Sequence, residues 1–408
     1  MRRSIRAALC LLALWALASC VSSRPLRETS PVRIGIFADL SSTAGREGND
    51  ALKGAELRIE RVNAAGGIGG RQIELIVRDV TQSATNAVKA YTELAQDERV
   101  CAVIGTAISN AGLSVSPVAD LSRVALVSLS MDDRVTNPEM KPENPGPAGP
   151  VRPFVFLVQS TATQAAASFA GYAVQHFKMK RYATFYDPAS PVSVLQARAF
   201  ESVLKKSGRI VAASVPMPEG DLAVPLRTLH DSGIDAVYVC ASTEKNMAAA
   251  KGIAEAVPEA VLLGNQAWYA PLAGPASDAR PAPGNAAKSA FGDNAWFWLP
   301  VSPNDSGLAG IAPAFVSRFG EYPRPAVVPG WDAVGLIMAA VAKAGTSAPT
   351  EVSDALQQLT SFRALQGTFE MDRKMHRPAF FPVAIMRIVG GAYVTADPRY
   401  VYKPPRAP

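Results

Sequence analysis

From residue 32 onward the apolar positions alternate between two rhythms. The run "VRIGIFADL" is followed by "NDALKGAELRIERVNAAGG", in which Leu52, Ala55, Ile59 and Val62 recur at helical spacing and Gly66 and Gly67 supply a stop. Next come "IELIVRD", a helical pattern through Ala87, Val88, Tyr91 and Leu94, the run "VCAVIG", a helix from about Ser109, and "ALVSLS". Continuous apolar strands separated by amphipathic helices predict a parallel sheet covered on both faces.

The rhythm breaks at "NPEMKPENPGPAGPVRPF", where six prolines between Pro138 and Pro153 can continue neither a helix nor a central strand. It resumes with "FVFLVQS", a helix near 162–178, "YATFYD", a helix near 192–206, "IVAASVPM", a helix near 222–232, "AVYVCAS", a helix near 245–257 and "AVLLGN". A Pro/Gly/Ala-rich tract, "APLAGPASDARPAPGNAAKSAFGDN", reads as a covering loop. Beyond it, "AWFWLPV" is expected to return toward the first lobe, a helix to start after Pro329, and "GTFEMD" and "FPVAIMRIVGGAYV" to be closing strands. The expected fold is therefore α/β, with two doubly wound parallel-sheet lobes joined by a hinge that the chain crosses more than once. The first part of lobe 1 spans 32–153 and ends in the Pro-rich segment, lobe 2 spans 154–292, and 293–408 returns to lobe 1, the hinge and the closing strands. Ligands of such sheets sit beyond the carboxyl ends of the strands, so an interlobe cleft closed by hinge motion is the expected binding place.

The chain start adds a compartment. Arg2, Arg3 and Arg6 precede the apolar core "AALCLLALWALA", which ends in Leu17, Ala18, Ser19 and Cys20. A core of this length is too short for the roughly 20 residues of a membrane-spanning helix. Residues 1–19 read as an export signal of lipoprotein type, Cys20 as the lipidated residue, and 20–31 as a tether. An ordinary cleaved signal with an incidental cysteine is the alternative. The protein is then exported and lipid-anchored on the periplasmic or extracellular side. Without the three signal arginines, 38 basic residues face 35 acidic ones, a balance of +3. No basic run interleaved with aromatics accompanies it, so nucleic acid is not an expected partner.

Metal and catalytic chemistry find no constellation. His176, His230 and His376 stand apart from cysteines and clustered carboxylates, which leaves no ligand spacing, and no cofactor is implied. Cys101 and Cys240 sit in apolar runs and read as buried, inert thiols. "GTAIS" lacks the G-x-S-x-G elbow of a nucleophilic serine, and "GGIGG" follows a helix and precedes a strand, the reverse of a phosphate loop. The chain is not expected to be an enzyme.

The run "RIGIFADLSSTAGREGNDALKGAELRIERVNAAGGIGGRQIELIVRD", with "VCAVIGTAISNAGLSVSPVADLSRVALVS", resembles the leucine/isoleucine/valine-binding proteins, the type I periplasmic solute-binding family that serves ABC importers. The likeness covers roughly 32–397. It implies that Ser109, with backbone groups around Thr106, binds a ligand carboxylate, and that Ser128 to Asp132, with Ser130 between, complete the site from the next strand end. A serine at a strand-to-helix turn suits an anion, because the helix start adds free N–H groups and a positive pole; a plain N-cap is the structural alternative. In the second lobe the resemblance implies that Tyr186 and Asp187 face the cleft, that Ser242 stands where relatives often place an aromatic ring, and that Gln266 stands where they often place an acid for the ligand's ammonium group. Glu47 and Asp132 are the candidates to supply acidity from the first lobe, and Trp268 and Tyr269 to supply an apolar wall or pack the hinge. The expected partners are a small amino acid or related carboxylate, an ABC permease and the membrane through the N-terminal lipid, with the protein acting as a monomer. The competing expectation is a lipoprotein of the same fold that regulates or senses through protein contacts made by its Pro-rich insertions.

Overall fold

Val32–Ala38 forms strand β1, and its alternation decides which helices cover which face: Val32, Ile34 and Ile36 enter one buried cluster, Phe37 the cluster on the other side. The computed structural model describes residues 30–42, 45–269, 295–390 and 392–402. After β1 come α1 (Arg46–Ala64), β2 (Ile73–Asp79), α2 (Ala84–Thr92), β3 (Ala102–Ile104), α3 (Ser109–Ser122), β4 (Ala125–Ser128) and β5 (Val155–Leu157). The five strands make one parallel sheet in the order β2-β1-β3-β4-β5. Because neighbours of β1 leave in opposite directions, the crevice between the ends of β1 and β3 is a topological switch point, the place where such sheets hold ligands.

The second half carries α4 (Ala162–His176), β6 (Arg181–Tyr186), α5 (Pro191–Lys206), β7 (Ile210–Pro216), α6 (Ala223–Asp231), β8 (Ala236–Cys240), α7 (Thr243–Ala256), β9 (Val261–Gly264) and β10 (Ala295–Leu299). Then follow α8 (Ser306–Phe319), α9 (Val327–Ala344), α10 (Pro349–Gln357), a small antiparallel sheet of β11 (Ser361–Ala364), β12 (Gly367–Asp372) and β13 (Arg377–Pro378), and finally β14 (Val383–Val389) and β15 (Ala392–Tyr400). The second large sheet has the order β15-β14-β10-β9-β8-β6-β7. Its strands β6 to β10 are parallel, while β14 and β15 add antiparallel at one edge. Phe169, Phe200, Tyr238 and Trp298 fill one face of it, and Phe185, Val239, Ile253 and Phe297 the other.

Two segments go elsewhere than the sequence reading put them. "FVFLVQS", taken as the start of lobe 2, supplies β5 and closes the first sheet, because Val155 to Leu157 pair with Leu126 to Ser128. The Pro-rich segment is therefore an insertion between two strands of lobe 1, tied back by Arg152 N–H to Thr136 O (2.8 Å) and by buried Met140. "AWFWLPV", expected in lobe 1, forms β10 between β9 and β14 of the second sheet, where Phe297 and Trp298 are buried on opposite faces. Short apolar runs fit either sheet equally well, so only pairing assigns them.

Helix α9 is apolar all round because it lies inside lobe 1. It is long and apolar enough to cross a membrane, but two-thirds of it is buried in the core. It crosses α1 at backbone contact: a Cβ on Gly330 would stand 1.8 Å from Ala51 O, and one on Gly54 would stand 2.1 Å from Val327 O. Any side chain at either glycine would force the helices apart.

Among the described residues the chain passes between the sheets at three places, near 158–161, 300–305 and 379–382. Buried Asp133 ties two of them together: it accepts from Thr163 Oγ1 (2.6 Å) and pairs with Arg377, which also donates to Thr161 Oγ1 (2.7 Å).

Candidate functional site: a cleft between the lobes

A cavity of about 260 Å³ lies beyond the carboxyl ends of β1, β3, β4 and β5 on one side and of β9 and β10 on the other. This is smaller than the 300–1,000 Å³ typical of sites for drug-sized molecules, so it suits a small solute. The first lobe contributes Arg46, Glu47, Asp50 and Ala51 from the first turns of α1, Ala107 and Ser109 from the start of α3, Leu129, Met131 and Gln159 from strand ends, and the segment Arg324 to Pro329 leading into α9. The second lobe contributes Val192, Gln266, Tyr269, Leu299 and Pro300.

Ser109 opens α3, whose cap residue Ile108 has no side-chain acceptor, so the first N–H groups of that helix have no capping partner. The Ser130 hydroxyl donates to Ser109 Oγ (3.2 Å), which leaves the Ser109 proton to be given to a ligand. Behind it stands a fully committed layer. Thr106 Oγ1 accepts from Ile108 N–H (3.2 Å), Ser128 Oγ from Ser130 N–H (3.2 Å), and Ser130 Oγ from Asp132 N–H (3.0 Å), and all three side chains are buried. These residues orient Ser109 and do not themselves line the cavity.

The charged groups at the cavity fall into one pair and two singles. Arg324 forks onto both oxygens of Asp50, with Arg324 Nε to Asp50 Oδ2 at 2.8 Å, and also reaches Glu321 (3.2 Å). Burial raises the Asp50 carboxyl's pKa against the pull of Arg324; burial also works to lower that of Arg324, and the carboxylates of Asp50 and Glu321 outweigh it. Glu47 makes no hydrogen bond or ion pair with a described residue. Its exposed surface opens into the cleft, yet its surroundings are crowded enough that burial, helped by Asp50, pushes its carboxyl up.

Across the cleft the polar groups are neutral. Gln266 Oε1 accepts from Gln196 Nε2 (3.4 Å), and its Nε2 lies 3.9 Å from Met131 Sδ of the opposite lobe. Gln196 continues inward to Asn265 (3.0 Å), and Asn265 to Asn246 (2.8 Å), so Gln266 is the outer end of a buried amide chain.

Of the residues singled out from sequence, Ser109, Glu47 and Gln266 line one cavity, and Tyr269 joins them. Asp132 does not: buried, it caps the turn Asp133–Val135 and holds Arg134 by two bonds (3.0 and 2.6 Å). Tyr186 turns away from the cleft toward Arg198, whose Nη2 is 3.0 Å from its hydroxyl and whose guanidinium covers its ring. Asp187 pairs with Lys245 (3.0 Å), Ser242 is exposed at the start of α7, and Trp268 is buried in the second-lobe core. Cys101 and Cys240 are both buried, and burial raises the pKa of Cys240 strongly. Cys20 lies outside the described residues. The described residues hold no group of three or more His, Cys, Asp or Glu side chains placed to bind a metal. Arg46, Asp50, Met131, Gln159 and Arg324 escaped the sequence reading. One signal was available: Arg324 is flanked by Pro323 and Pro325, which stiffen the backbone around a charge.

A model of the family described as periplasmic binding protein matches residues 31–392. Leu/Ile/Val-binding protein homolog 3 of Brucella melitensis is 25% identical over 240 residues, which is 58% of this chain and 61% of the relative. The chain thus matches about six-tenths of that relative's length. The same fold is seen in the branched-chain amino acid transporter substrate binding protein LivJ of Streptococcus pneumoniae in complex with isoleucine, with TM-score 0.69, 20% identity, and coverage of 92% of this chain and 100% of that one. It is seen also in an ABC-transporter solute binding protein of R. palustris in complex with benzoate, with TM-score 0.68, 19% identity, and coverage of 92% and 98%. With the match running through both lobes and the hinge, the chain belongs to the periplasmic binding protein family.

Proposed function

We propose that this protein is an extracytoplasmic solute-binding lipoprotein, anchored through Cys20, that captures a small carboxylate-bearing solute between its lobes and presents it to an ABC importer. The observation that carries this reading is Ser109, half-buried at the uncapped start of α3, oriented by Ser130 and facing a cavity sized for a small solute. The carboxylate receives the Ser109 hydroxyl and the free N–H groups of α3; Thr106, Ser128 and Ser130 hold that cradle; Glu47 and Gln266 meet the rest of the solute. Relatives named as Leu/Ile/Val-binding, and neighbours holding isoleucine or benzoate, support the carboxylate class.

The test is thermal unfolding of the purified full chain against a panel of amino acids and small carboxylates. A ligand at 100 times its Kd stabilises by about 2.7 kcal/mol. Ser109→Ala is expected to weaken the best ligand by about 1 to 1.5 kcal/mol, the worth of a hydrogen bond to a charged group, with an unchanged circular dichroism spectrum. No shift with any member of the panel overturns the reading in favour of a protein-binding role.

A further inference from the structure

We propose that the cleft selects a monoanionic carboxylate with an apolar body and no cationic group, and discriminates against the α-amino acid of the same shape. The proposal deepens the solute-binding reading and rests on it. Three observations carry it.

The first is the charge balance of the wall. Two arginines, Arg46 and Arg324, face two carboxylates, Glu47 and Asp50, and Arg324 and Asp50 are committed to each other. The side chains therefore sum to no net charge before the backbone is counted.

The second is the backbone. Helices α1, α3 and α9 all begin at this cavity, with Arg46, Ser109 and the cap residue Ala326 on its wall; α1 and α3 have no side-chain cap, whereas the first N–H groups of α9 are taken by Arg324 O and Pro325 O and Pro329 has none. Each helix start carries a partial positive charge. The starts of α1 and α9 are held beside each other by the contacts at Gly54 and Gly330. A monoanion gains from the open poles of α1 and α3, whereas a zwitterion brings no net charge and sets its ammonium against the same field.

The third is the opposite wall, which offers an ammonium no charged partner. Val192, Leu299 and Pro300 are apolar, and Gln266, whose oxygen already accepts from Gln196, is neutral and supplies dipoles without charge. On the first-lobe side Gln159 donates to Leu129 O and keeps an oxygen, which supplies a dipole without charge. Glu47 is the one acid without a partner. It shares the first turn of α1 with Arg46. Of the 18 residues around the cavity, most are apolar, which fits an aryl or branched alkyl body.

The experiment is isothermal titration of the full chain with matched pairs: 4-methylpentanoate against leucine, and 3-phenylpropanoate against phenylalanine. In at least one pair the deaminated acid is expected to bind at least about tenfold more tightly, because an ammonium desolvated without a charged partner is costly. Gln266→Glu is expected to shift the preference toward the amino acid by about tenfold or more. Amino acids that bind as tightly as their deaminated partners, or more tightly, in every pair that binds overturn this proposal while leaving the solute-binding reading intact. No binding by any of the four overturns both.

Discussion

On the first-lobe wall of the cleft, polar groups stand at helix starts and strand ends held by the core, and two of them are oriented by a neighbour: Ser109 by Ser130 and Asp50 by Arg324. The second-lobe wall holds one amide, Gln266, amid apolar side chains, and its nearest polar neighbour across the gap is the sulfur of Met131 at 3.9 Å. The difference separates two tasks. On the proposed solute-binding reading, the first lobe is the preformed receptor, and the second lobe is the cover, with only apolar contacts and a weak bridge to the other side.

If the first lobe is the preformed half, its hidden charges and close packing should be the costly places to change. Asp50→Ala would leave Arg324, about one-tenth exposed, facing only Glu321, and is expected to destabilise by about 3 kcal/mol or more in chemical denaturation. A loss under about 1 kcal/mol would mean that this pair does not hold the wall. Gly330→Ala places a methyl where α1 and α9 touch and is expected to cost about 1–3 kcal/mol. Gly310→Ala, inside α8 with open space around it, is the control and is expected to stabilise by about 0.5–1 kcal/mol.

A pH effect belongs to the same lobe. Burial pushes the Asp332 carboxyl on α9 from an ordinary 3.8 up to about 7, against the bond it accepts from Leu365 N–H. The folded state therefore holds this proton more tightly than the unfolded chain does. The stability it contributes is complete below the unfolded value and is lost as pH rises from about 4 to about 7. Asp332→Asn should flatten the dependence across that window in thermal unfolding scans; an unchanged slope would assign the dependence to other groups.

The smallest effects are expected on the covering side. Tyr186→Phe removes a hydroxyl that faces Arg198 and Ser242→Ala changes an exposed helix start, so each should leave ligand affinity within about 0.5 kcal/mol. A tenfold loss in either would mean that the second lobe reaches the solute through residues outside this cavity wall.

The alternation of strand and helix was legible because a parallel sheet covered on both faces requires continuous apolar strands. The start of α3 at Ser109 and the GGIGG turn after α1 follow from the same local chemistry. The assignments of Val155–Leu157 and Ala295–Leu299 were not legible, since an apolar strand of three to five residues carries no mark of the sheet it joins. The site divided in the same way. Ser109 could be placed from the turn that carries it and from the family resemblance, and Glu47 and Gln266 from the resemblance, whereas Asp132 and Tyr186 have the right chemistry and the wrong direction, drawn away by Arg134 and Arg198.

By itself, then, the sequence determined the two-lobed α/β class, the cleft at the strand ends and the serine that opens α3, because periodicity and turn chemistry act over a few residues. Tertiary structure decided the charge state of the cleft. Asp50 meets Arg324 across 274 residues, and the starts of α1 and α9 lie side by side because two glycines let these helices touch. Neutralising a charge by pairing and aiming a helix pole depend on distance in space, which spacing along the chain does not encode.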